Sequence, residues 1–156
     1  MPVTKLSMSF RPNIMAEIEK RADVEQGNVS GVVNKALDRY FALLERARME
    51  FRGALSSNEC ALILDATNGT MFADTFSLSH LWAEIQDACR LDQLDKKWDV
   101  DGAALVEAIR SSGMIGQAAL IDASERWWRR VAVGEQPAHG ELLDQYQAAR
   151  YPHSEE

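Results

Sequence analysis

The sequence predicts a mainly α protein in two parts: an N-terminal strand and two helices that complete themselves across a homodimer, then a C-terminal all-helical domain. Three observations lead there. Residues 5–10, KLSMSF, alternate polar Lys5, Ser7 and Ser9 with apolar Leu6, Met8 and Phe10, which is the period of a half-buried strand. After Pro12 the apolar residues recur at helical spacing instead. Charge also divides the chain: residues 1–52 hold nine Lys/Arg against seven Asp/Glu (+2), and residues 53–156 hold eight against seventeen (−9), which together give −7.

The strand comes first and ends at Pro12, which cannot donate to a ladder but fits the first turn of a helix. Ile14, Met15, Ile18 and Ala22 then mark one apolar face of a short helix ending near Gln26-Gly27, where glycine accepts the left-handed conformation. Asn28 is suited to cap the next helix. In that helix Val29, Val33, Ala36, Leu37, Tyr40, Phe41 and Leu44 form one wide stripe, which Ala47 and Phe51 extend until Gly53.

About fifty residues with one strand cannot bury that much apolar surface in a single copy, and an isolated strand leaves its backbone groups unpaired. Two intertwined copies solve both problems. The strands pair as an antiparallel ribbon, with Leu6, Met8, Phe10, Val33, Leu37, Tyr40 and Phe41 forming a shared dimer core. The order KLSMSF, IMAEIEKRA, GNVS and VVNKALDRYFALL, over residues 3 to 46, resembles the ribbon-helix-helix DNA-binding fold of Arc, MetJ and CopG type repressors. That resemblance implies a two-stranded ribbon in the major groove, with Lys5, Ser7 and Ser9 facing base edges. It also implies phosphate contacts from Arg11 and from the start of the second helix, at Asn28, Val29 and Ser30. Lysine donates to guanine O6 and N7, whereas serine pairs with several bases and specifies weakly. Arg11 stands where a capping Ser or Asp would be expected, and one basic residue among three on the ribbon face suggests that several dimers bind in a row.

In the remainder, Ser56-Ser57-Asn58-Glu59 reads as a capping box opening a helix through CALILDA that closes at Asn68-Gly69, in preference to a hairpin between ALILDAT and TMFA. Further helices follow from Leu78, Leu81, Trp82, Ile85, Ala88 and Cys89; from Leu105, Val106 and Ile109; and from Met114, Ala118, Leu120, Ile121, Trp127, Trp128 and Val131. Leu142, Leu143 and Tyr146 predict a last one. Asp99, Asp101 and Gly102 imitate part of a calcium loop, but aligning Gly102 with the invariant glycine puts Lys97 and Ala108 at ligand positions. Asp99 or Asp101 is therefore read as a helix cap. RWWRR at 126–130 combines basic and aromatic residues as single-strand binders do, yet its tryptophans continue the apolar stripe and are assigned to the core.

The expected organisation is residues 1–53 as the DNA-binding and dimerisation domain, 54–151 as an acidic helical domain for oligomerisation, ligand or partner binding, and 152–156 as a disordered tail. Neither a membrane span nor a secretion signal is expected, so the chain is placed in the cytoplasm. Cys60 and Cys89 lie in apolar periodic segments and are read as inert thiols. With His80 they include no close-spaced ligand pair, so neither metal nor cofactor is expected. No nucleophile elbow, Gly-rich phosphate loop or HExxH motif points to catalysis. The function expected is a sequence-specific regulator, a repressor by preference, whose partners are double-stranded DNA and a second copy of itself. Two alternatives stay open: an antitoxin or inhibitor whose acidic domain neutralises a basic protein while the head controls its own gene, and a plasmid-partition protein. Four tryptophans beyond residue 80 speak for an acidic part that is folded before any partner arrives.

Overall fold

The computed structural model describes residues 7–25, 28–68 and 80–144. The chain is mainly α-helical and forms two compact units, Met1–Ala42 and Leu43–Glu156. Its helices are α1 (Pro12–Glu25), α2 (Val29–Arg52), α3 (Ser57–Thr67), α4 (Leu81–Asp92), α5 (Leu94–Lys97), α6 (Gly102–Ser111) and α7 (Gly113–Ala132), followed by a 3-10 helix, His139–Leu143. Among the described residues no helix is long and apolar enough to cross a membrane.

In the first unit Pro12 opens α1, and the carbonyl of Arg11 accepts the first helical bond from Met15 N at 2.9 Å. Ile18 and Ala22 of α1 meet Val32 of α2 in a small buried cluster, with Phe10 and Val33 packed against it. The stripe on α2 therefore needs correcting. Val32, off the predicted row, is the buried residue, whereas Val29 stays exposed at the helix start. Among the described residues the expected strand is not formed either. Residues 7–11 form no regular element, because a ladder requires a second strand and the described residues of one chain contain none.

The second unit begins inside α2, at Leu43. Leu44 and Ala47 pack against Ala118 and Ala119 of α7, and Phe51 enters the main core. The main core is built around α3, whose Leu62 and Ile63 are fully buried with Ile85 of α4, Leu105 and Ile109 of α6, Leu120 of α7, and Leu142 and Leu143 of the 3-10 helix.

Local chemistry fixes the helix starts. Ser56 Oγ accepts from Glu59 N (3.1 Å) while Glu59 accepts from Ser56 N (2.9 Å), so the capping box is complete and helix replaces hairpin over 57–67. The TMFA half of the rival hairpin lies outside the described residues. Asp101, not Asp99, caps α6, accepting from Ala104 N at 3.1 Å. Asp99 instead takes a left-handed φ of 53° in the turn after α5. The segment predicted around Leu142 and Leu143 is a 3-10 helix that closes the core; Tyr146, Leu78 and the tail 152–156 lie outside the described residues.

Candidate nucleic-acid interface

The first unit carries every residue expected to touch DNA. Ser7, Ser9 and Arg11 are solvent-exposed, while Lys5 and Leu6 lie outside the described residues. At the start of α2, Asn28 Oδ1 accepts from Gly31 N at 2.6 Å, a helix cap that occupies one of the first-turn donors. Asn28, Val29 and Ser30 are all exposed. Such a helix start presents backbone N–H groups and the positive end of the helix dipole, which suits an oxyanion.

The residues assigned to a dimer core fall into two groups. Phe10 and Val33 meet on the Ile18–Ala22–Val32 cluster of their own chain. Met8, Leu37, Tyr40 and Phe41 remain 61%, 41%, 37% and 55% exposed, and the rings of Tyr40 and Phe41 lie 6.0 Å apart, tilted against each other. Leu37, Tyr40 and Phe41 are thus a run of large apolar side chains along one stretch of α2, and with Met8 ahead of α1 they face water in the single copy.

The second unit holds polar constellations that sequence reasoning missed. Arg48 is buried; it donates to the Leu143 carbonyl and, through Nε at 3.0 Å and again through Nη2, to Glu45. The Arg48 hydrogen bond holds the Glu45 carboxyl below its ordinary range. Asp65 Oδ2 accepts from Lys97 Nζ (2.7 Å) and Trp98 Nε1 (3.0 Å). Burial works against this carboxylate, but the two hydrogen bonds and the Lys97 charge outweigh it and hold its pKa below the usual aspartate value. The His139 ring stacks on Trp127 at 5.8 Å and meets Trp98 edge-on at 5.1 Å, while Trp127 Nε1 donates to the Ala138 carbonyl at 3.0 Å. Trp127 thus belongs to the core, as its spacing predicts.

These groups tie helices together. Cys60 is buried, and burial pushes its thiol up to about 11, away from the thiolate form. Cys60 and Cys89 are both free. Among the described residues no group of three or more His, Cys, Asp or Glu is placed to hold a metal ion. No family model, curated protein or solved structure matches this chain at a significant level.

Proposed function

We propose that the protein is a sequence-specific DNA-binding regulator, a repressor, whose first unit dimerises as a ribbon-helix-helix head and lays an antiparallel ribbon in the major groove. One observation carries the reading: Leu37, Tyr40 and Phe41 on α2, with Met8 before α1, stand in water in a unit whose buried cluster among the described residues is Ile18, Ala22 and Val32. A second copy would cover those side chains and supply the missing strand. Polar Ser7 and Ser9 alternate with Met8, so a ribbon that buries Met8 turns both serines outward, together with Lys5. The capped start of α2 would hold a phosphate on either side.

The test is binding to DNA taken from just upstream of the protein's own coding sequence, measured beside random DNA of equal length. Lys5→Ala is expected to cost about 1–3 kcal/mol on the preferred site and much less on random DNA, with Ser7→Ala and Ser9→Ala costing less. If specific binding survives all three substitutions unchanged, the ribbon is not the reading element. The inhibitor or antitoxin reading is favoured instead by the charge of the second unit, where eleven Lys/Arg face nineteen Asp/Glu over residues 43–156.

A further inference from the structure

The second unit carries an open groove of about 430 Å³ that no intrachain contact described above fills. One wall is the C-terminal half of α2, from Leu43 to Phe51, about 12 Å of helix axis. The other is the corner where α6 meets α7, at Ala108, Ser112 and Ile115. Small residues make the depression: Ala47 and Ala54 on one side, Ala108 and Gly116 on the other. Its charged groups are Arg46, Glu50 and Glu59. Arg46 and Glu50 form only a long pair, 3.6 Å, with both side chains more than two-thirds exposed, and the Glu59 carboxylate is occupied by a neutral backbone donor at Ser56. The groove thus has an apolar floor and a rim of net charge −1, in a unit of net charge −8.

We infer that this groove seats an amphipathic, basic helix from a partner protein. An open trough two helical turns long would leave a drug-sized molecule half in water, whereas a helix laid along it buries residues at i, i+3 or i+4 and i+7 between the two walls. Charge selects the kind of helix. Lysines or arginines flanking its apolar stripe meet Glu50 and Glu59 at the rim and the acidic field around them. This inference is independent of DNA reading by the first unit, and either can fail alone.

The probe is a synthetic amphipathic Leu/Lys peptide of about fourteen residues, four helical turns, titrated calorimetrically into the full chain, with the Leu/Glu peptide of the same pattern as its control. The expected result is saturable binding of the Leu/Lys peptide that weakens with added salt, and none of the Leu/Glu peptide. Ala108→Phe fills the groove from an exposed position on α6 and should weaken binding at least about tenfold. Glu50→Lys, also exposed, should weaken it without filling anything, and unchanged circular dichroism verifies both folds. Absence of binding by the parent chain, equal binding of the two peptides, or equal binding by Ala108→Phe overturns the inference. So does self-association of the chain that Ala108→Phe abolishes, since the occupant would then be a second copy.

Discussion

Asp65 and Arg48 show how single side chains hold the second unit together. Because the folded-state pKa of Asp65 is depressed, its contribution to stability is complete above the unfolded value of about 3.9 and is lost as pH falls through the folded value. Denaturant midpoints measured from pH 7 down to the acid limit should therefore fall less steeply below about pH 4 in Asp65→Asn than in the parent chain. Arg48→Ala should cost about 2 kcal/mol, because it strips a charged donor from the Leu143 carbonyl and from Glu45. Thermal unfolding of the full chain measures it. Neither residue was legible in the sequence. Arg48 sits on a helix whose neighbours Glu45 and Arg52 are exposed, and its burial depends on residue 143, which no local pattern brings near.

At the scale of elements, legibility followed range. Caps are decided within four residues, so Ser56 with Glu59 and Asn28 could be read directly and the cap of α6 narrowed to Asp99 or Asp101, of which Asp101 takes the role. Ser56→Ala should accordingly cost about 1 kcal/mol in chemical denaturation, being the loss of a cap alone. Faces were harder. The stripe on α2 is wide, and periodicity does not say which edge meets α1; Val32 lies there because Ile18 and Ala22 reach it. Periodicity is equally silent on what covers a stripe. Leu44, Ala47 and Phe51 continue the row of Leu37, Tyr40 and Phe41, yet α7 covers the first two, the main core takes the third, and the others remain in water. Phe41→Asp tests that remainder: sedimentation should show a monomer with helix content intact, and site-specific DNA binding should fall with the dimer. A side chain that simply faced solvent would change neither.

Over the whole molecule, the end of a helix and the end of a compact unit are different boundaries. Gly53 marks the first, but Phe51 belongs to the core of residues 43–156. A fragment beginning at Leu43 should fold cooperatively, whereas one beginning at Ala54 loses Leu44, Ala47 and Phe51 from its packing and should be several kcal/mol less stable. Circular dichroism melts of the two fragments decide this. The aromatic cluster around His139 has a consequence of another kind, an optical one. All four tryptophans, Trp82, Trp98, Trp127 and Trp128, stand in the second unit and none in the first. Tryptophan emission from this chain is thus a private channel of the C-terminal unit, with no emitter of its own near Ser7, Ser9 or Asn28 in the sequence. Tyrosine makes no such division, since Tyr40 sits on the exposed stretch of α2 while Tyr146 and Tyr151 belong to residues 43–156. Excitation at the red edge of the absorption band, where tyrosine is transparent, would therefore report the second unit alone without any label being attached.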